Sequence, residues 1–221
     1  VDTLMKVEEN LSVMNVNLMA VLTEDDKNEI IRSGELSRIN DLIAGITRLK
    51  RTPAILTFQE AFREYDPYEL RGRRGYNATD KIAAHIGENY KIIEGPMETK
   101  WPFKKGLAIL YDANRLNYLA DLEKKKNSST DDYLLVAHFE EKTTGRKFIM
   151  ATTHLEADPK KTDIRQQQIA RILEELKNAN PDNVPVIVTG DFNPGTQEEF
   201  TGSIKGQMGK GSYESADKQD L

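Results

Sequence analysis

The sequence predicts an α/β domain built on one or more mixed sheets. Three observations predict it. Short runs rich in Val, Ile, Leu and Phe alternate with segments whose apolar residues recur at helical spacing. Two of the runs flank a Gly-bearing turn, and several runs end on Asn, Glu, His or Asp. At roughly 100–200 residues per domain, the 221 residues make one domain over 1–221.

The elements follow in order. Leu11–Leu22, rich in Val, Leu and Met, reads as a buried strand. Leu36, Ile39, Leu42, Ile43, Ile46 and Leu49 define an amphipathic helix over Glu35–Lys50, ended by Pro53. Ala54–Phe58 is a core strand, and Asp80–Glu88 is a helix with Thr79 placed to cap it. Gly106–Tyr111 is a strand. Tyr133–Glu140 and Lys147–Thr153 form a hairpin around Lys142–Arg146. Ile164, Ile169, Ile172, Leu173 and Leu176 mark a second amphipathic helix, and Val184–Thr189 is a strand running into Gly190-Asp191-Phe192-Asn193. Lys124–Lys126 and Ser128–Thr130 read as an exposed loop. The tail from about Gly202 lacks periodicity.

Composition removes several classes. Charged residues make up 30% and no apolar run approaches the ~18 residues of a spanning helix, so no integral membrane segment is expected. No signal-peptide core is visible at Val1–Lys6, and the compartment stays open. With no cysteine there is no disulfide framework, thiol nucleophile or Cys-ligated zinc. A net charge of −5 excludes a generally basic nucleic-acid coat but allows a local basic groove.

Polar residues stand where apolar runs stop: Asn17, Glu60 after Ala54–Gln59, His154 after Phe148–Thr153, and Asp191 with Asn193. Strand ends are where open α/β sheets place ligands. These residue types suit phosphate-ester hydrolysis. Mg²⁺ takes oxygen ligands, keeps several waters and uses one or two protein carboxylates. Glu60 supplies a carboxylate and Asn17 an amide oxygen. Of Asp191 and Asn193, two positions apart, one takes the proton of an attacking water and the other donates its NH₂ to a phosphate oxygen. His154 can donate a hydrogen bond or a positive charge. Each of these signals alone also fits a solvated strand end or a turn; their joint occurrence carries the reading.

The successive motifs Asn15-Val16-Asn17, Leu56–Glu60, Gly106–Ile109, Thr152–Leu155 and Gly190–Asn193 resemble those of the endonuclease/exonuclease/phosphatase superfamily, in the same order, from about residue 11 to residue 200. The resemblance implies a four-layer α/β sandwich of two packed mixed sheets, as in deoxyribonuclease I, with the C-terminal part missing from this chain. It implies Mg²⁺, with Mn²⁺ as an alternative, held by Glu60 and Asn17. His154 would contact the phosphate, Asp191 activate the nucleophile and Asn193 bind the scissile phosphate. Some relatives carry an Asp where this chain has Met19, so a second metal ligand from that strand is not expected. The family's closing Ser-Asp-His motif has no counterpart before Leu221. Of the remaining histidines, His85 reads as structural and His138 matches no motif.

Gly106–Tyr111 with Asn114-Arg115-Leu116, His154-Leu155 followed by Arg165 and Gln168, and Gly190–Pro194 with Glu198-Glu199 resemble the deadenylase branch (nocturnin, angel and carbon-catabolite-repression nucleases). Arg165 and Gln168 are otherwise expected on a solvated helix face. The substrate implied is an RNA 3′ end or a nucleotide phosphate. The alternatives are a lipid head group, as in sphingomyelinases or inositol phosphatases, and an inactive binding module of the same fold. Arg71, Arg73, Arg74, Lys104 and Lys105, with Tyr76, Trp101 and Phe103, could stack on bases and meet phosphates or form a solvated loop.

Overall fold

The structure, a computed structural model, describes residues 11–18, 29–64, 77–100, 103–119 and 134–196. The elements run β1 (Val13–Asn17), α1 (Glu29–Arg48), β2 (Ile55–Glu64), α2 (Ala78–Ile86), β3 (Tyr90–Lys100), β4 (Phe103–Asp112), β5 (Leu116–Tyr118), β6 (Leu134–Glu141), β7 (Lys147–His154), α3 (Thr162–Ala179) and β8 (Val186–Asp191). They divide into two compact units. The first runs to Thr153 and takes back Pro185–Gly190; the second holds His154–Val184 and the chain from Asp191.

The strands form two four-stranded sheets, in the orders β1-β2-β4-β3 and β5-β6-β7-β8. In the first, β1 runs parallel to β2 while β4 is antiparallel to β2 and to β3, so the sheet is mixed. In the second, β5, β6 and β7 are antiparallel neighbours. β8 runs with β7: Ile149 N donates to Pro185 O and Leu155 N to Asp191 O, two bonds with the same offset. That sheet is therefore mixed too, with α3 as the crossover that a parallel neighbour requires. The α/β class with two mixed sheets is as the sequence predicts.

Alternation along β2 explains the layering of the first unit. Leu56 and Phe58 point one way and join Ala108 and Leu110 of β4, Ile39, Ile43 and Ile46 of α1, and Ile82 and Ala83 of α2. Ile55 points the other way, toward Leu107, Ile109, Leu135, Ala137, Phe139 and Met150, which fill the space between the sheets. Helices, first sheet and second sheet are thus three layers. Each fully buried Ile, Leu or Phe contributes roughly 1.5–3 kcal/mol. Gly95 in β3 fits between layers that a side chain would crowd: a Cβ there would lie 3.1 Å from Leu107 O and 3.3 Å from Leu135 Cβ.

Several boundaries differ from expectation. β2 does not stop near Phe58. A bulge between Phe58 and Ala61 absorbs one extra residue opposite β4, and the strand continues to Glu64. β3 has no clear signature in the sequence because Gly95-Pro96 breaks its pattern. It carries its own bulge between Glu94 and Met97, at the same level of β4, and is an edge strand, where proline is tolerated. α2 is capped by Asn77, not Thr79: Asn77 Oδ1 accepts from Thr79 N at 3.0 Å and Asp80 N at 3.3 Å. α1 ends at Arg48, so Leu49 falls off the apolar stripe and is 43% exposed. The hairpin stands as expected, with Gly145 at φ 69 in its turn.

Candidate functional site

Asn17 ends β1 and Glu60 sits inside the bulge of β2, one strand over. The bulge holds Glu60 at φ 52, a left-handed conformation that a non-glycine residue adopts only at a cost of about 1 kcal/mol or more. It also turns the carboxylate to the end of β1, where Asn17 Nδ2 donates to Glu60 Oε1 at 3.2 Å. A carboxylate oxygen only accepts, so the Asn17 amide must present its NH₂ to Glu60. Both side chains are half-buried.

Beneath this pair the filling between the sheets changes from apolar to polar. Gln59 and Thr57 are fully buried, as is Thr152 on β7. Gln59 Nε2 donates to Asn15 Oδ1 at 2.7 Å and to Thr152 Oγ1 at 2.8 Å. Thr57 Oγ1 donates to the same Asn15 oxygen at 2.8 Å and shares a 2.9 Å hydrogen bond with Thr189 Oγ1 on β8. The four strands β1, β2, β7 and β8 are thereby tied by side chains as well as by backbone. Gln59 Oε1 is the one buried side-chain acceptor without a partner among the described residues. β7 and β8 approach closely at this level. A Cβ on Gly190, at φ 153, would fall 2.3 Å from Thr153 O.

The second unit begins at His154, the last residue of β7, which is half-buried. Asp191 ends β8. Its Oδ1 accepts from Asn193 N at 3.0 Å, a turn that Asp and Asn favour, and Asn193 takes φ 43. Asp191 O accepts from Leu155 N at 2.9 Å, and Asn193 Nδ2 donates to Leu155 O at 3.0 Å. Asp191 and Asn193 are thus brought together around the residue after His154. Asp191 belongs to β8, whereas the sequence places it beyond the strand.

Arg165 corrects the expectation of a solvated helix face. It is fully buried and takes a position in the buried stripe of α3 with Ile169, Ile172 and Leu176, while Ile164 is 37% exposed. Its guanidinium donates from Nη1 to the carbonyls of Glu156 and Asp158, and from Nη2 to Pro159 O and Thr162 Oγ1. Gln168 Oε1 accepts from Glu156 N at 3.0 Å. Glu156 in turn accepts from Asp158 N and pairs with Lys161 at 3.2 Å; these donors hold its carboxyl below the usual carboxylate range. The sequence signal for Arg165 is its spacing of four and seven from Ile169 and Ile172.

Of the basic and aromatic candidates, Phe103, Lys104 and Lys105 lie on β4 and so are not in a loop. Arg71, Arg73, Arg74, Tyr76 and Trp101 lie outside the described residues, as do Met19–Leu22, Lys124–Lys126, Ser128–Thr130, Glu198-Glu199 and the tail. His85 is exposed and its Nδ1 bonds Lys81 O of its own helix at 2.7 Å. No helix among the described residues is long and apolar enough to cross a membrane.

Two mixed sheets, with polar residues at the ends of β1, β7 and β8, give the α/β class. Comparison with known proteins agrees. The chain is 35% identical over 154 residues to Protein angel of Drosophila melanogaster, covering 66% of this chain and 40% of that protein. It is 34% identical over 74 residues to the CCR4-Not complex 3′-5′-exoribonuclease subunit Ccr4 of Candida albicans, covering 28% of this chain and 9% of that protein. It therefore spans less than half of the curated relatives it matches. Its fold matches the crystal structure of an endonuclease/exonuclease/phosphatase family protein from Bacteroides thetaiotaomicron, with a TM-score of 0.60, 20% identity, and coverage of 89% of this chain and 69% of that one. No protein-family model matches. These likenesses support the endonuclease/exonuclease/phosphatase superfamily, on its deadenylase side, as the group to which this chain is similar.

Proposed function

We propose that this chain carries the catalytic centre of a Mg²⁺-dependent phosphodiesterase or phosphatase whose substrate is an RNA 3′ end or a nucleotide phosphate. The single observation that supports it most is Glu60, a carboxylate held at φ 52 in a bulge against Asn17. Such strain persists where the surroundings enforce it, and it clusters at functional sites. The substrate class follows the relatives, one of which is an exoribonuclease by name.

The donor set fits a hard divalent ion. Glu60 offers a carboxylate and Asn17 an amide oxygen. Among the described residues no three His, Cys, Asp or Glu side chains gather, so an ion here would keep most of its water, as Mg²⁺ does. When bound, the ion offsets charge on the phosphoryl oxygens and lowers the pKa of water. The chain's own residues do the rest. Asp191 orients the attacking water and takes its proton as the new O–P bond forms; the ester O–P bond breaks with its electron pair on the leaving oxygen, which takes a proton from solvent. Asn193 binds a phosphoryl oxygen through the amide hydrogen not used on Leu155 O. His154 donates to another.

The test is hydrolysis of oligoadenylate, dinucleotide phosphates, sphingomyelin and inositol phosphates by the full-length protein, with Mg²⁺ or with EDTA. Metal-dependent cleavage of the first two is expected, with Glu60→Ala and Asp191→Asn each losing at least ~100-fold. Equal turnover by wild type and Asp191→Asn refutes the mechanism. Cleavage confined to sphingomyelin or inositol phosphates refutes the substrate class.

A further inference from the structure

The peptide unit between Leu155 and Glu156 is held at both ends by side chains. Its carbonyl accepts from Asn193 Nδ2 at 3.0 Å, and its N–H donates to Gln168 Oε1 at 3.0 Å. One planar amide therefore connects α3 to Asn193. Its carbonyl and N–H point in opposite directions, so a fixed Gln168 fixes where the carbonyl aims. Because a carbonyl only accepts, the Asn193 amide must present its NH₂ to it, which settles which face of Asn193 carries the donor. The hydrogen bonds on the two sides of the peptide also polarise one another.

Arg165 secures the same segment from beneath. Its fork binds the carbonyls of Glu156, Asp158 and Pro159, so the turn after Leu155 cannot shift without leaving a buried guanidinium unpaired. The backbone of Leu155 also donates to Asp191 O at 2.9 Å. Leu155 is itself buried.

We propose that Gln168 and Arg165 are positioning residues for Asn193, with Gln168 acting through the Leu155–Glu156 peptide and Arg165 holding the turn that carries it. Neither touches substrate. The inference rests on the reading of Asn193 as the phosphate-binding amide. Without Gln168 the peptide rotates, Asn193 loses its anchor, and the donor hydrogen meant for phosphate samples several directions.

The experiment compares Gln168→Leu with Gln168→Glu, which keeps an acceptor at the same place, and with Asn193→Ala. Gln168→Leu should lower kcat roughly 10- to 100-fold, the scale of a sub-ångström to ångström misplacement. KM should change little, and Gln168→Glu should restore most of the rate. In an Asn193→Ala background Gln168→Leu should cost nothing further, because residues acting in series are not additive. A second readout does not depend on turnover. In the NMR spectrum of the full-length protein, the Asn193 side-chain NH₂ pair (assigned from its disappearance in Asn193→Ala) should be well dispersed in wild type and Gln168→Glu. In Gln168→Leu it should collapse toward random-coil shifts. Unchanged Asn193 signals in Gln168→Leu overturn the inference whatever the activity. So does undiminished kcat in a Gln168→Leu protein whose wild type is active. If wild type hydrolyses nothing, the proposed function fails, and the NMR result still decides the positioning.

Discussion

Replacing Gly190 by alanine tests the close approach of β7 and β8 directly. The new Cβ would stand 2.3 Å from Thr153 O, 2.7 Å from Thr153 Cγ2 and 3.0 Å from Thr153 C. Real Cβ atoms keep at least 3.0 Å, so the two backbones must separate by about 0.7 Å (3.0 − 2.3). The obstructing atom is a backbone carbonyl, which cannot swing away as a side chain would. Overpacking of this kind costs roughly 1–3 kcal/mol. The positive φ of Gly190, at 153, adds about 1–3 kcal/mol for any residue with a Cβ. The expected loss is therefore about 2–6 kcal/mol, a large share of a typical domain's stability. The assay is equilibrium urea unfolding of wild type and Gly190→Ala, read as the shift in midpoint with an unchanged slope. A loss below ~1 kcal/mol would show that the strands part freely here and would refute the reasoning.

Three further outcomes are expected. Glu60→Gly should raise stability by about 1 kcal/mol, since glycine adopts φ 52 without strain, while abolishing hydrolysis; a lower melting temperature in that variant contradicts the account of the bulge. Arg165→Lys keeps the charge but not the fork, leaving carbonyls of Glu156, Asp158 and Pro159 short of donors, and should cost at least ~2 kcal/mol by calorimetry. Asp112 governs part of the acid sensitivity. Burial pushes its carboxyl up, but hydrogen bonds from Asn89, Asn114 N and Arg115 outweigh this and hold it below its ordinary 3.8. Its contribution is then complete above pH 3.8 and is lost as pH falls through the lower folded value, so wild type should lose more stability between pH 5 and pH 2 than Asp112→Asn does. Equal losses would sink this assignment.

The sequence is most legible where one period runs unbroken. The hairpin around Lys142–Arg146, the helix through Ile169, Ile172 and Leu176, and the strand before Asp191 all follow from alternation or helical spacing. It is least legible at irregularities. A bulge inserts one residue and shifts the phase of a strand, so β2 looks finished at Phe58, just before the bulge that presents Glu60, and β3 does not register at all. Arg165 is misread because charge argues for solvent, and only the geometry of the preceding turn shows a guanidinium surrounded by carbonyls. Residue type and motif order propose Glu60, Asn17, His154, Asp191 and Asn193 as candidates. Their local settings do not follow in the same way, because a positive φ and an amide's orientation depend on strands far apart in sequence.

The buried side chains of β2 facing the second sheet read Ile55, Thr57, Gln59. A slip of the strand by two residues would preserve its alternation and pass unnoticed in a uniformly greasy interior. Here it would carry Gln59 away from its place and strand Asn15 and Thr152 without their shared partner. The polar end of the interlayer thus works as a key cut for one alignment, and it is the same alignment that delivers Glu60 to Asn17.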